Sequence, residues 1–311
     1  MIPLIADHII YSIQRVGGVS VVWNELMARA RADKDIRLTE LDYRNGMQPR
    51  RMERYRIPDY QASAPAVFHS SYFRVLPQAG VRNVTTVHDL TYHFYRHGLA
   101  KAVHLWEERR ALRHSDAVVC VSENTRRDVL RFYPWVKEEK VHVVYNGVSD
   151  DFCPISSVKK QGYLLYLGNG TAAYKRLDVA QEVARLTGLE LKLAKHLTRE
   201  ELNRCYNEAL CLLYPSDYEG FGLPILEAQK AGCPVIAQET SSVPEVIGEG
   251  GWMVKHDTPQ RMAQEMAALV RELMSRSAQP MIEAGMKNAK RFSWDTSYQQ
   301  TKQIYRQLSE S

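Results

Sequence analysis

Two glutamates eight residues apart, Glu219 and Glu227, stand in the segment YPSDYEGFGLPILEAQKAGCPVIA of residues 214–237. The run Gly220-Phe221-Gly222-Leu223-Pro224 between them cannot be the middle of a helix, because Gly permits unusual φ and Pro is tolerated only in a first turn. Glu219 is therefore expected on a loop, and Glu227 in the first two turns of the following helix. Helix N-termini attract phosphate, and carboxylates beside one are well placed for ribose or sugar hydroxyls.

A histidine and an aspartate, His88-Asp89, follow the buried strand predicted for Val84–Val87. Open α/β sheets bind their ligands at the ends of such strands. His88 is a donor and an acceptor of hydrogen bonds, and Asp89 could orient it or cap the next turn. The alternative is a histidine bonded to a neighbouring loop.

Two glycine-containing segments precede predicted helices. Gly17-Gly18 comes before a helix predicted for 18–32, and glycines there let backbone N–H groups approach a diphosphate. The alternative is an ordinary turn. Gly168-Asn169-Gly170 follows a predicted strand, and Lys175-Arg176 opens the next helix, so this loop with its cations can hold a leaving nucleoside diphosphate.

Strands and helices alternate along the chain, and most apolar runs are continuous, as expected for parallel strands covered on both faces. This is the pattern of a doubly wound α/β fold. Ser122 is expected to cap the helix 123–133. The predicted strands are Val84–Val87, Ala117–Val121, Val141–Tyr145, Tyr163–Leu167, Leu189–Leu193 and Pro234–Ala237, with Leu212 and Leu213 in another. The predicted helices are 18–32, 101–114, 123–133, 175–187, 199–209, 223–231 and 258–275.

The polar stretch SDDFCPISSVKKQG of residues 149–162 lacks periodicity and is the predicted linker between two α/β halves. We therefore expect a first domain at 1–152 and a second domain at 153–292. The last helix, 293–311, has one apolar stripe and is expected to pack back on the first domain.

Composition restricts the class of protein. The chain has 311 residues, 45% of them hydrophobic and 25% charged, which is typical of a globular protein with two domains. No apolar run approaches a membrane span, and the N-terminus lacks the pattern of a signal peptide. Five cysteines without a C-x-x-C pair predict free thiols in a reducing cytosol rather than a metal site.

Residues 44–56, RNGMQPRRMERYR, are strongly basic and include Arg50, Arg51 and Arg54. One interpretation is a solvated loop. The other is an acceptor-side contact with an anionic membrane face or a pyrophosphate-bearing acceptor. A nucleic-acid partner is not expected, because no binding motif accompanies the patch. The sequence leaves the oligomeric state open.

Several segments together carry a family resemblance. They are YEGFGLPILEA followed by GCPVIA, Ser12-Ile13-Gln14 before Gly17-Gly18-Val19-Ser20, and FHSSYFRV, TVHDLTYHFYR, VSENTRRD and VVYNGVS. With them the chain resembles the retaining glycosyltransferases of family 4, which have the GT-B fold of two Rossmann-like domains facing a cleft. The similarity covers nearly the whole length. Within the family, the chain most resembles the enzymes of bacterial lipopolysaccharide O-antigen biosynthesis.

The resemblance implies that the N-terminal domain, 1–152, is the acceptor side and that the C-terminal domain, 153–292, binds the donor. It also implies roles for individual residues. His88 and Glu219 would hold the transferred sugar, and Glu227 the ribose. Lys175 matches a lysine that binds the pyrophosphate, with Gly17, Gly18, Gly220, Phe221, Gly222 and Leu223 lining the donor. The family's arginine just after the strand is absent, since Asn169 stands near its place, and Arg176 is a candidate replacement.

The resemblance further implies front-face attack without a side-chain nucleophile, and no metal or other cofactor. Asp33-Lys34-Asp35 is expected to be a solvated turn rather than a metal site. The donor would be GDP-mannose or a UDP-hexose, and the acceptor a growing glycan on a polyprenyl diphosphate at the inner membrane face. The alternatives are a non-catalytic nucleotide-sugar-binding protein and, with less support, an epimerase or a dehydrogenase.

Overall fold

The computed structural model describes residues 1–14, 17–42, 53–63, 65–168 and 170–310. Its contacts divide the chain into two compact units. Unit 1 comprises Met1–Asn146 and Trp294–Ser311, and unit 2 comprises Gly147–Ser293. The division therefore falls a few residues before the boundary that the sequence predicts at 152.

Unit 1 is built on a six-stranded parallel sheet in the order β2-β1-β3-β4-β5-β6. The central strands are almost completely buried because helices cover both faces of a parallel sheet. The strands are β1 (Ile2–Asp7), β2 (Ile36–Leu41), β3 (Ala66–Ser70), β4 (Val81–Val87), β5 (Ala117–Cys120) and β6 (Val141–Val143).

The helices of unit 1 include the chain's last one, which packs back on this unit through its contacts with α2, β1 and β3. The Tyr298 hydroxyl donates to Asp33 at 2.8 Å, and Tyr305 lies in the same apolar cluster as Trp23. The helices are α1 (Ile10–Ile13), α2 (Gly18–Ala32), α3 (Thr91–Tyr95), α4 (Gly98–His114), α5 (Glu123–Phe132) and α12 (Trp294–Glu310).

Unit 2 holds a five-stranded parallel sheet in the order β11-β10-β9-β7-β8. Helices α6 and α10 pack together against it, and α8 packs on α11. The strands are β7 (Leu164–Leu167), β8 (Leu191–Ala194), β9 (Cys211–Tyr214), β10 (Val235–Gln238) and β11 (Trp252–Val254). The helices are α6 (Leu177–Thr187), α7 (Arg199–Glu208), α8 (Leu223–Lys230), α9 (Val243–Ile247), α10 (Pro259–Ser275) and α11 (Gln279–Ala289).

The alternation of strands and helices predicted from the apolar runs is confirmed, and so are the long helices to within a few residues. Ser122 caps α5, since its Oγ accepts from the Thr125 amide at 3.0 Å. The predicted ranges do not include the strands β1, β2, β3 and β11 or the helices α1, α3, α9 and α11. In the described ranges, none of the helices is both long and apolar enough to cross a bilayer.

Candidate functional site

The segment of residues 214–237 lies in unit 2 at the point where the strand order of the sheet reverses. The chain passes from β7 to β8 on one side, and then returns to place β9 on the other side of β7. A crevice outside the carboxyl ends of strands at such a switch point is the usual ligand site of an open α/β sheet. Lys175 follows β7 and Glu219 follows β9, so both residues lie at this point.

Lys175 and Glu219 form an ion pair there. The Lys175 ammonium is 3.3 Å from Oε1 of Glu219, and their side chains are 33% and 13% exposed. The Tyr214 hydroxyl, at the end of β9, also bonds to this carboxylate. The charge of Glu219 is the main reason that the pKa of Lys175 is raised, against the opposing effect of burial. A persistent cation therefore lies beside the carboxylate to which the family resemblance gives the sugar.

The loop that carries Glu219 is held by two serines that precede α9. The Glu219 amide donates to Ser241 Oγ at 2.8 Å. The Ser242 hydroxyl lies 2.9 Å from the Glu219 carbonyl oxygen and 2.8 Å from that of Phe221. Ser241 has φ of 45°, a left-handed conformation that is uncommon for serine. Both serines therefore fix the loop that carries Glu219.

Gly222 makes the turn from the motif loop into α8. Its φ is 109°, and a Cβ at this position would lie 3.2 Å from Ile225 Cδ1. Pro224 stands in the first turn, as predicted. The GFGLP run therefore gives the loop its turn and the helix its start. Gly220 and Phe221 lie just before this turn, and the Phe221 ring packs edge-on against Phe292.

Glu227 lies one turn into α8, as predicted. Its Oε2 accepts a hydrogen bond of 3.0 Å from the hydroxyl of Tyr206, on α7. Burial raises the pKa of Glu227 to about 7, which the Tyr206 bond and the charge of Arg199 only partly offset. A carboxyl group close to half ionised at neutral pH is a strongly perturbed group, and such groups concentrate at functional sites. Tyr206 was not predicted, because its partner is 21 residues away in sequence.

Arg176, the candidate replacement for the missing arginine, follows a 3₁₀ turn at Ala173–Lys175. It adopts left-handed φ and ψ of 55° and 49°. Its guanidinium is 2.9 Å from Asp178 and 3.6 Å from Asp217. Two carboxylates therefore already neutralise this cation, which weakens the expectation that it replaces the family arginine. Asn169 lies outside the described residues.

His88 lies at the end of β4 in unit 1. Burial lowers its pKa to about 4, with Asp89 opposing the shift, so the imidazole is neutral at physiological pH. Asp89 Oδ1 accepts from the Thr91 amide at 2.9 Å and thus caps the turn into α3, one of the two roles expected. A neutral His88 can donate one hydrogen bond and accept another.

Gly17 and Gly18 lie between α1 and α2. Gly17 is extended, with φ of 165°, and a Cβ there would meet the side chain of Gln14. Gly18 is the first residue of α2, and nothing lies within 4 Å of where its Cβ would be. The start of α2 is therefore an open surface, suited to the approach of an anion toward the helix amides.

The basic segment is only partly described, and Arg50 and Arg51 lie outside the described residues. Arg54 binds Glu107 through two contacts, Nε to Oε1 at 3.1 Å and Nη2 to Oε2 at 2.5 Å. Its guanidinium also lies over the rings of Tyr55 and Tyr72. Arg54 is therefore a partly buried, ion-paired cation of unit 1 rather than a solvated one, and its acceptor-side role stays a prediction.

The remaining candidate groups also find partners within their own units. Asp33 and Asp35 both bind the Lys302 ammonium, at 2.7 and 2.8 Å. Among the residues that the structure describes, no three His, Cys, Asp or Glu side chains cluster as metal ligands. Four cysteines are buried free thiols, and Cys153 is exposed.

Two family models match the chain, one after the other. Residues 41–152 match a model described as Glycosyltransferase Family 4, and residues 153–272 match one described as Glycosyl transferases group 1. The matches meet at residue 152, where the sequence predicts the domain boundary.

Curated relatives include two O-antigen enzymes. O-antigen chain mannosyltransferase B of Escherichia coli is 27% identical, over 84% of this chain and 81% of the relative. O-antigen chain mannosyltransferase RfbU of Salmonella typhimurium is 28% identical, over 57% and 58%. An alpha-maltose-1-phosphate synthase of Mycolicibacterium smegmatis is 27% identical, over 74% of both chains.

Solved structures with the same architecture confirm the predicted fold class of two parallel-sheet α/β domains. Sucrose-phosphate synthase from Thermosynechococcus elongatus aligns over 99% of both chains, with a TM-score of 0.73 and 16% identity. WaaG, a glycosyltransferase involved in lipopolysaccharide biosynthesis, aligns over 93% of this chain and 94% of its own, with a TM-score of 0.62 and 14% identity.

Proposed function

The chain belongs to glycosyltransferase family 4, and we propose that it transfers a hexose, with retention, from a nucleotide diphosphate sugar to a growing surface glycan. The observation that carries the proposal is the Lys175–Glu219 pair at the switch point of unit 2. A lysine for a diphosphate and a carboxylate for sugar hydroxyls stand side by side, as a sugar diphosphate requires.

Each part of the donor has a candidate partner. Lys175 neutralises the diphosphate, with the amides at the start of α2 as a second candidate. Glu219 accepts hydrogen bonds from the sugar hydroxyls, and His88 contributes a further polar contact. Glu227 accepts from the ribose hydroxyls once it is ionised. The position of Glu227 beyond the Gly222 turn, with its Tyr206 bond, supports this assignment.

The reaction breaks the bond between C1 of the sugar and the β-phosphate oxygen, and forms one between C1 and the acceptor oxygen. In front-face attack, the acceptor enters on the side from which the phosphate leaves, and the leaving oxygen takes the acceptor's proton. Stabilisation of the departing diphosphate then provides most of the catalysis. This mechanism needs no side-chain nucleophile and no metal, in contrast to a retaining hydrolase with its paired carboxyls.

The proposal extends to the identity of the acceptor and of the nucleotide base in the donor. The O-antigen chain mannosyltransferases among the relatives support an O-antigen glycan as acceptor and mannose as the transferred hexose. The proposed acceptor is this glycan linked to a polyprenyl diphosphate, and the proposed donor is GDP-mannose over a UDP-hexose. Such an acceptor is lipid-linked, so the proposal includes a cytoplasmic enzyme in peripheral contact with the inner membrane face.

A thermal-shift panel across UDP, GDP, dTDP and CDP tests the donor, because a ligand that binds only the folded state raises Tm by mass action. We expect one nucleotide to give the largest shift, with GDP favoured. The matching nucleotide sugar and a lipid-linked acceptor should then yield a glycoside with the donor's anomeric configuration. An inverted product would overturn the proposed mechanism.

A non-catalytic binding protein is the second candidate, and the engagement of Arg176 by Asp217 and Asp178 favours it. In that case no described residue replaces the family arginine. Such a protein would bind one nucleotide sugar tightly, yet show neither transfer nor slow hydrolysis with any donor. Release of nucleoside diphosphate from one donor would exclude it.

A further inference from the structure

Helix α4 buries Ala111 and Leu112 near its end, but over its first three turns it buries polar side chains and exposes apolar ones. Helices on a protein surface normally bury their apolar stripe and expose their charges. In α4 the side chains of Glu107 and Glu108 are completely buried, and His104 is only 6% exposed. In contrast, Leu99 is 80% exposed and Trp106 is 51% exposed.

The inward polar face of α4 is explained by specific partners within unit 1. Glu107 binds Arg54 at 2.5 Å. Glu108 accepts from the Tyr133 hydroxyl at 3.0 Å and lies 3.1 Å from His93. His104 stacks on Tyr92, with ring centres 3.7 Å apart. Buried charges require such partners, so these contacts account for the polar residues but leave the exposed apolar ones unexplained.

The exposed face of α4 forms one continuous stripe. Its members are Leu99, Ala102, Trp106, Arg109 and Arg113, at alternating spacings of three and four residues. This spacing places them along one side of the helix. The first half of the stripe is apolar, and the second half is cationic.

Neighbouring aromatic side chains extend the exposed apolar part of the stripe. Phe94 and Tyr95, just before the helix, are 36% and 37% exposed. Trp135 is 41% exposed, and the Arg113 guanidinium lies 5.5 Å from its ring centre. We call the stripe with these three aromatic residues the α4 face.

The exposed charge of residues 91–114, which hold the α4 face apart from Trp135, has a single sign. Residues 91–114 contain five Lys and Arg, and their only acidic residues are Glu107 and Glu108. Because both glutamates are buried and paired, this segment exposes no carboxylate. Exposed cations at this surface include Arg96, Arg109 and Arg113.

We propose that the α4 face docks unit 1 onto an anionic lipid surface. Leu99, Trp106 and the aromatic residues would enter the boundary between headgroups and acyl chains, where amphipathic rings are stable. The arginines would remain at the level of the lipid phosphates. Helices that lie in a membrane interface combine an apolar stripe with flanking cations in this way.

A second copy of the chain fits this face poorly. A two-fold dimer brings the same patch of each subunit together, so cations would meet cations. An anionic lipid surface supplies both the apolar layer and the negative charge. This docking rests on the proposed function, since a lipid-linked acceptor would be reached from this surface. The docking surface then lies on α4 rather than on residues 44–56.

Co-sedimentation of the full chain with vesicles tests the proposal, using phosphatidylcholine alone and with about one third phosphatidylglycerol. We expect binding to the anionic vesicles only. Leu99→Glu/Trp106→Glu should weaken it by about tenfold or more, because two apolar anchors become anionic. Arg109→Gln/Arg113→Gln should weaken it by about 25-fold, since each interfacial arginine contributes about fivefold.

Two control variants isolate the surface. Met274→Glu changes a side chain that is 54% exposed on α10 in unit 2, and it should bind vesicles like the wild type. Arg50→Gln/Arg51→Gln tests the basic segment that the sequence first indicated. Wild-type binding by both α4 variants, or equal weakening by Met274→Glu, would overturn the proposal. So would a dimer that only the α4 variants dissociate in analytical ultracentrifugation.

Nucleotide-induced thermal shifts, measured on the same samples, separate this inference from the proposed function. The α4 variants should keep the wild-type shift, which also shows that they are folded. Vesicle binding that survives both α4 changes, with normal nucleotide shifts, refutes the docking surface alone. The opposite outcome is a protein that binds no nucleotide but loses vesicle binding in the α4 variants. That outcome refutes the transferase assignment and supports the docking surface.

Discussion

The Nζ atom of Lys175 lies 3.3 Å from Oε1 of Glu219, although the two residues are 44 positions apart in sequence. They meet because β7 and β9 are neighbouring parallel strands whose carboxyl ends share one edge. The pair holds each group in place before a donor arrives. When a sugar diphosphate binds, its phosphate would pair with Lys175 and its sugar hydroxyls would donate to Glu219. Both side chains would therefore exchange one partner for another.

Replacement of Glu219 by Ala should lower kcat by about tenfold or more, because hydrogen bonds that strengthen in the transition state are lost. Steady-state rates with the preferred donor measure the effect. Glu182→Ala is a matched control, since Glu182 lies on α6 and pairs with the exposed Arg185. An unchanged rate in Glu219→Ala would remove this residue from the site.

Replacement of Lys175 by Gln should lower kcat/KM for the donor by about a hundredfold, in the range of other losses of a group that stabilises developing negative charge. Lys255→Gln removes an exposed lysine elsewhere in unit 2 and should have no effect. Isothermal titration with the nucleoside diphosphate and with the nucleoside alone separates the two parts of the donor. A Lys175→Gln variant that loses affinity equally for both would contradict a diphosphate role.

Local sequence signals predicted the frame of the site. The GFGLP run indicates a loop and then a helix start, and Gly222 and Pro224 occupy those positions. Continuous apolar runs indicate buried parallel strands, and the predicted runs form β4 to β10 of the two sheets. Such signals work because they depend on the backbone preferences of a few adjacent residues.

Contacts over long sequence separation could not be predicted in the same way. The bonds from Tyr206 to Glu227, from Ser241 to the Glu219 amide and from Arg54 to Glu107 depend on which elements become neighbours. The basic composition around Arg54 indicated a free cation, yet a buried glutamate on α4 binds it. Composition gives the charge of a segment but does not identify the partners of its side chains.

The affinity for the donor nucleotide should rise between pH 6 and pH 8. Burial raises the pKa of Glu227 to about 7, and only its ionised form accepts hydrogen bonds from both ribose hydroxyls with full charge. Isothermal titration across this range measures the slope. Glu227→Gln should bind more weakly and lose this part of the pH dependence, and an unchanged slope in that variant would assign it to another group.

The stability of the unliganded protein should have the opposite pH dependence, because the contribution of Glu227 falls as pH rises. A carboxyl group whose pKa is raised in the folded state holds its proton there more tightly than in the unfolded chain. Its contribution is fully present below about 4.5 and is lost as pH rises to about 7. The Tm of the wild type should therefore fall relative to Glu227→Gln across this window, and parallel Tm curves would contradict the raised pKa.

Excess chelator should leave turnover unchanged, because Lys175 and helix amides are proposed to neutralise the diphosphate instead of a metal ion. The measurement is the rate of nucleoside diphosphate release before and after dialysis against a chelator. Loss of activity that Mn²⁺ restores would contradict the prediction and would require a metal to bridge the donor phosphates.

Two glycines of the proposed donor site should respond differently to substitution by Ala. Gly222→Ala should destabilise the fold by about 1–2 kcal/mol, because its φ of 109° is unfavourable for a residue with a Cβ and Ile225 lies 3.2 Å away. Gly18→Ala should leave Tm unchanged or raise it slightly, since its Cβ meets nothing within 4 Å and Ala favours the helix. If a diphosphate binds the first amides of α2, the same methyl group should nevertheless raise the donor KM. Unaltered donor KM in a stable Gly18→Ala variant would exclude this helix start from the donor site.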